Sequence, residues 1–283
     1  MGHMTPPTYI MHEDKREQLR QVTQKAYHAY YSCINASQPI LDIYNTLLEE
    51  YEKISPIIIT YESPVIQNAL AMYSNILLVT NHLPTPHLVD IRDERFLEEL
   101  GLYPNMRIHE WYDPNEFRYY PLVKVLAATH THHVITGTKP DLLGKIATLR
   151  NDIKVPLGPL SGRTAYVIKE IKTYIETTNK NAFIIFPEGR DTEGFLDQYH
   201  YYMFDLKKGF AAIAKELNLP ILPISGAFNY ETFEQHLFIH NIITPKEVSH
   251  STIEELFQQM KKSFTYGIPK ALPRVKVTWI SEQ

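Results

Sequence analysis

From residue 57 onward the chain alternates short unbroken apolar runs with longer segments of helical period. The runs 57-IIIT-60, 76-ILLVT-80, 107-RIHEWY-112, 133-HVITG-137, 182-AFIIF-186, 221-ILPI-224 and 274-RVKVTWI-280 have the length of strands. Those at 76, 182 and 221 are continuous rather than alternating, which predicts strands buried on both faces. Helical segments lie between several of the runs. Residues 88–100 end at Gly101, a natural position just past a helix. Residues 164–178 place Val167, Ile168, Ile171 and Ile175 on one face. Residues 205–218 do the same with Leu206, Phe210, Ile213, Ala214 and Leu217. Residues 251–264 open with Ser251 and Glu254, the spacing of a capping box. The pattern predicts an α/β domain over 56–283, a mixed, largely parallel sheet flanked by helices.

Residues 1–55 read differently, as an N-terminal helical hairpin. Its first helix covers 12–34 and its second 39–54, with Ile40, Ile43, Tyr44, Leu47, Leu48 and Tyr51 at helical spacing. Pro39 suits a helix start and Pro56 closes the segment. The stripe Ile40, Ile43, Tyr44, Leu47 and Leu48 could face a membrane. Packing on the sheet domain is the expectation, because helical stability usually comes from a buried apolar face. The opening 1-MGHM-4 reads as a cloning scar and is set aside.

Composition narrows the function classes. Of 283 residues, 44% are hydrophobic and 21% charged, enough to bury a core of ordinary size. A formal net charge of −4 offers no general basic field, so no nucleic-acid partner is expected. One cysteine, Cys33, excludes an internal disulfide framework and fits a reducing compartment, cytoplasm or organelle stroma. No apolar run approaches the roughly 20 residues of a membrane span. The expectation is a protein that is soluble or peripheral to a membrane. The 19 tyrosines include clusters at 27-YHAYY-31 and 199-YHYY-202, read as amphipathic packing, with an interfacial belt as the alternative.

Ligands of such sheets bind beyond the carboxyl ends of the strands. Two stretches fall there: Asn81-His82 after 76-ILLVT-80, and 187-PEGRD-191 after 182-AFIIF-186. A histidine suits a proton-accepting base, and an arginine beside a glycine suits phosphate. The ordered set 81-NH-82, 157-LGPLSGR-163, 186-FPEGR-190 and 220-PILPI-224, with 207-KKG-209 between, resembles the glycerolipid acyltransferase superfamily. The resemblance covers about residues 57–280 and is nearest to the soluble glycerol-3-phosphate acyltransferases. It implies acyl transfer from acyl-CoA or acyl-carrier protein, as co-substrate, to glycerol 3-phosphate or a lysophospholipid, with no separate cofactor. It implies His82 as general base and Asn81, His132, His133, Arg163, Glu188, Gly189, Arg190 and Lys208 as substrate-binding residues. The histidines of 130-HTHH-133 stand where that group carries a basic pair. Read from the residues alone, a solvated loop and a zinc cluster are the other readings. No cysteine or second histidine pair lies nearby in sequence, so no metal ligands are assigned.

Two departures matter. The family places an aspartate five residues after the histidine, where this chain has His87. Three readings stay open: Asp90 supplies the acid through a wider turn at Pro84–Pro86, His87 itself orients His82, or the dyad is broken. The turn 187-PEGRD-191 is also one residue shorter before its arginine than the family usually has. The competing functions are a catalytically silent binder of a phosphate-ester lipid and a metal-dependent hydrolase.

Overall fold

The computed structural model describes residues 51–82, 129–137, 151–156, 162–188, 200–229, 232–273 and 275–280, with scattered residues within 14–50 and 122–126. The helix predicted at 88–100, the strand at 107–112 and most of the N-terminal hairpin lie outside the described residues.

Among the described residues, seven strands form the main sheet: β1 (Ile57–Tyr61), β2 (Asn75–Thr80), β3 (Thr131–Gly137), β4 (Ile153–Val155), β5 (Asn181–Ile185), β7 (Ile221–Asn229) and β8 (Glu234–Ile239). A separate parallel pair is made by β6 (His200–Phe204) and β9 (Lys276–Ile280). Helices whose full span lies among the described residues are α1 (Ile66–Met72), α2 (Arg163–Thr177), α3 (Gly209–Leu217), α4 (Pro245–His250) and α5 (Ile253–Ala271). The main sheet runs β1-β8-β7-β2-β5-β3-β4. Every neighbouring pair is parallel except β7 with β8. The predicted mixed, largely parallel α/β fold is therefore the observed one.

The middle of the sheet explains the unbroken apolar runs. β2 is bonded to β5 on one side and β7 on the other, so its backbone groups are consumed by both ladders. Both of its faces are covered as well. Leu77 and Val79 join a core with Phe183, Val167 and Ile171 of α2, Phe210 of α3, and Leu256, Met260 and Phe264 of α5. Ile76 and Leu78 join the opposite core with Ile66 and Leu70 of α1. Each such side chain contributes about 1.5–3 kcal/mol of burial, which makes the central strands a stiff platform for whatever follows them. None of the helices among the described residues is long and apolar enough to cross a membrane.

Several elements differ from the expectation. The capping box at α5 belongs to Thr252 and Glu255, one residue later than Ser251 and Glu254. Thr252 Oγ1 accepts from the Glu255 N–H at 3.1 Å, and Glu255 Oε2 accepts from the Thr252 N–H at 2.7 Å. α3 begins at Gly209 rather than 205. β4, β6, β8, α1 and α4 are additional to the elements predicted. β4 has only 3 residues, too few to show a period, and β8 mixes polar with apolar side chains.

α5 approaches β7 and β8 through a polar seam. Ser225 Oγ lies 2.8 Å from His240 Nε2, and His240 Nδ1 lies 3.8 Å from Glu62 Oε2. Gly267 of α5 sits directly above, where a Cβ would come 2.3 Å from Ser225 Oγ. Burial pushes the His240 imidazole from 6.5 down to about 4. The sign follows: from about pH 6.5 downward the unfolded chain takes up a proton that the native chain does not accept until about 4. Stability therefore falls as pH drops through that window. A urea midpoint measured between pH 7.5 and 4.5 is expected to decline steadily, and less steeply in His240→Gln. A flat midpoint in the native chain would contradict the buried neutral imidazole.

Candidate active site

β2 ends at Thr80, and the next residue continues its ladder with a side chain. β7 runs on past the end of β2, so the N–H and C=O of Gly226 face a gap where a further β2 residue would stand. The Asn81 amide fills it. Asn81 Oδ1 accepts from the Gly226 N–H at 2.7 Å, and Asn81 Nδ2 donates to the Gly226 C=O at 2.8 Å. Because Gly226 N–H can only donate, the amide has one possible orientation. Asn81 is 1% exposed. Its role here is to turn the chain sharply while leaving no buried backbone group of β7 unpaired. Asn81→Ala removes both bonds, and buried unpaired groups cost about 1–3 kcal/mol. The expected result is a loss of about 2 kcal/mol in denaturant-derived stability; a midpoint equal to the native chain's would refute this capping role.

That turn presents His82, which is 9% exposed. Its ring stacks on Phe186 with centroids 4.5 Å apart. Its backbone N–H donates to Glu188 Oε1 at 2.8 Å, and the same carboxylate oxygen lies 3.6 Å from His82 Nδ1. The longer separation is beyond hydrogen-bond length but well within Coulomb reach of an imidazolium. Glu188 is 1% exposed, so its carboxylate acts in a low-dielectric setting. The parallel register of β2 with β5, Val79 opposite Ile185, brings the two post-strand turns side by side. Tyr201 of β6 approaches from below: its hydroxyl is 3.1 Å from Asn81 Nδ2 and 3.4 Å from the His82 carbonyl oxygen.

Two helices begin at this same edge. α2 ends beside the amino end of β5, where Asn181 Nδ2 donates to the Tyr174 C=O at 3.4 Å. Its start, 14 residues before its last residue Thr177, therefore lies about 21 Å away at the carboxyl edge. The starts of α2 and α3 are adjacent, since a Cβ on Gly209 would lie 3.5 Å from Thr164 Oγ1. The Lys207 N–H donates to the Pro187 C=O at 2.6 Å, tying the approach to α3 to the Pro187-Glu188 turn. Arg163 is the first residue of α2, after Gly162 in a left-handed conformation at φ 96°. Helix starts carry free N–H groups and a positive dipole end, which favour an anion. Lys208 faces elsewhere: its Nζ is 2.7 Å from Glu254 Oε2 and 5.3 Å from the Phe257 ring centroid, both on α5.

The histidines of 130-HTHH-133 are not brought to this edge. The register aligns His132 with Ala182, and Ala182 with Ile76, six residues before His82. At about 3.3 Å per residue they stand some 20 Å along the strands, at the amino ends. His133 is 1% exposed, stacks on Phe183, meets the Tyr174 ring at a tilt, and has its ring nitrogens 2.8 Å from the Asn151 carbonyl oxygen and 3.0 Å from Asn181 Oδ1. His130 is held by the Thr129 hydroxyl and the Tyr73 carbonyl. Burial, followed by its neighbours His130 and His133, lowers His132 to about 4, so this patch carries no positive charge from His132 at neutral pH. No group of three or more His, Cys, Asp or Glu among the described residues could hold a metal ion.

The structure thus brings Asn81, His82 and Glu188 together, with Arg163 opening a helix on the same edge. Asp90, His87, Gly189 and Arg190 lie outside the described residues. Sequence reading missed Tyr201 as a member of the site. The only signal was its membership in 199-YHYY-202, and nothing local to that cluster points to Asn81, which is 120 residues away. Among curated proteins none matches the chain. The family model described as Acyltransferase matches residues 150–226, which take in Arg163, Glu188 and the Gly226 to which Asn81 is bound. With that match, the segment that builds half of the site is similar to the acyltransferase superfamily, and the general reaction it supports is acyl transfer.

Proposed function

We propose that this protein moves a fatty acyl group from acyl-CoA or acyl-carrier protein to a hydroxyl of glycerol 3-phosphate or a lysophospholipid, with His82 as the general base. The observation that carries this reading is the placement of His82 at the carboxyl end of a central strand, beside the buried Glu188 carboxylate and close to two helix starts. The imidazole takes the proton of the acceptor hydroxyl as the oxygen attacks the thioester carbonyl. The tetrahedral intermediate then expels the thiolate, which receives that proton back. An ester forms, the C–S bond breaks and a free thiol leaves, so no external proton source is needed. Glu188 stabilises the transient imidazolium and fixes the loop that carries it, the part an aspartate plays in serine-hydrolase triads. The starts of α2 and α3, with Arg163, supply the environment that a phosphate requires.

The test is an acyl-transfer assay over a panel of acceptors, with acyl-CoA and acyl-carrier protein as donors. Ester formation with a phosphate-bearing acceptor and none with its dephosphorylated analogue is the expected result. Saturable lysophosphatidate binding without turnover of any donor would replace the reading with that of a silent lipid binder.

A further inference from the structure

Tyr201 belongs to neither strand turn that forms the site. It sits on β6, paired with β9 through the Tyr201–Val277 register, outside the main sheet. Its ring is 1% exposed and lies in the core shared by α2, α3 and α5. Its hydroxyl reaches the turn after β2.

Amide and phenol chemistry assign the donors there. Asn81 Nδ2 carries two hydrogens, and one is on the Gly226 carbonyl at 2.8 Å. The other points between the Tyr201 oxygen and the His82 carbonyl, each at 3.1 Å. The Tyr201 oxygen thus accepts from Asn81, and its own hydrogen is directed at the His82 carbonyl, at 3.4 Å. Amide, phenol and carbonyl close a small ring beneath His82. On the other side of the same residue, the N–H of His82 is held by Glu188. The peptide units before and after His82 are therefore fixed from two different elements, and the imidazole between them inherits that orientation.

We propose that Tyr201 is a positioning residue for His82, its hydroxyl setting the tilt of the peptide that follows the imidazole from a strand outside the main sheet. The proposal rests on the reading of His82 as the base. Proton transfer tolerates little displacement of the base from its acceptor, so loss of this one oxygen acts on turnover. It acts little on folding, because Asn81 keeps its bonds to Gly226 and to the His82 carbonyl, and the Tyr201 ring keeps its place in the core.

The experiment compares the wild-type chain, Tyr201→Phe, His82→Ala and the exposed control Tyr266→Phe. Each is assayed for acyl transfer from acyl-CoA or acyl-carrier protein to glycerol 3-phosphate and lysophosphatidate. Spectra of histidine-labelled protein are recorded alongside, the His82 ring signals being assigned by their loss in His82→Ala. Tyr201→Phe is expected to lower kcat about tenfold with KM changed less than twofold, and to shift or broaden the His82 ring signals selectively. An unchanged kcat with unmoved His82 signals overturns the proposal. So does a lower rate that tracks a lower Tm while the His82 signals stay in place, since that is a structural loss only. If His82→Ala transfers acyl groups as fast as wild type, the reading of His82 as base fails on its own. The response of the His82 signals to Tyr201→Phe then still decides whether the phenol positions that ring.

Discussion

Under the proposed role of His82 as base, its replacement by alanine is expected to lower the acyl-transfer rate by about a hundredfold to ten-thousandfold, the range that a positioned general base contributes. Three features make this a clean test. The bond from His82 to Glu188 is made by the backbone N–H, so alanine retains it. The Asn81 amide, which caps the end of the β2 ladder, is untouched. What is lost is the ring, its stacking on Phe186 and its proton chemistry. The folded chain should therefore persist, with a modest fall in Tm and an unaltered circular dichroism spectrum. Release of free thiol from the acyl donor, followed with a thiol reagent in the presence of acceptor, reads the rate. A variant turning over at the wild-type rate would remove His82 from the base's role and leave the general acyl-transfer assignment without its proton acceptor.

Gly267→Ala is expected to cost about 3 kcal/mol, despite alanine being the better helix former by about 1 kcal/mol. Sterics decide the sign. The added methyl would lie 2.3 Å from Ser225 Oγ, 2.5 Å from His240 Nε2 and 2.6 Å from Ser225 Cβ. None of these atoms can swing aside into solvent, because Ser225 is 0% and His240 3% exposed. Relief requires either lifting α5 off the sheet or parting the Ser225–His240 hydrogen bond of 2.8 Å. Overpacking of this kind costs about 1–3 kcal/mol, and an orphaned buried polar group adds a comparable amount. Since α5 contributes Leu256, Met260, Phe264 and Ile268 to the core, a lifted helix would loosen the whole face. Calorimetry should show a Tm lower by several degrees, at about 2–4 °C per kcal/mol. A Tm equal to or above that of wild type would show that the helix accommodates a side chain there.

How much of the site could be read from the chain depends on how local its interactions are. Asn81-His82 and Pro187-Glu188 were legible because each follows an unbroken apolar run directly, and strand ends are where ligands bind in parallel sheets. The capping box was legible to within one residue for the same reason, its two members being three residues apart. Lys208 was legible as a lysine before a helix but not in its direction. Its ammonium is drawn to Glu254, and that pairing depends on how α5 crosses the start of α3. The histidines at 130–133 show the same limit more sharply. Spacing along the chain set them fifty residues after His82, whereas the register of β3 on β5 sets them at the far end of the strands.

By itself, the sequence determined the α/β class, the central strands, the amphipathic helices and the two turns that carry Asn81-His82 and Glu188. These follow from periodicity and from residues adjacent in the chain, where the backbone geometry leaves few alternatives. Only the tertiary structure decided which groups meet: Asn81 with Gly226, Glu188 with the N–H of His82, Tyr201 beneath both, and Gly267 against Ser225 and His240. The physical reason is that hydrogen bonds and packing contacts act over a few ångströms, while the residues that make them here are separated by 27 to 145 positions and are brought together only by strand order and register.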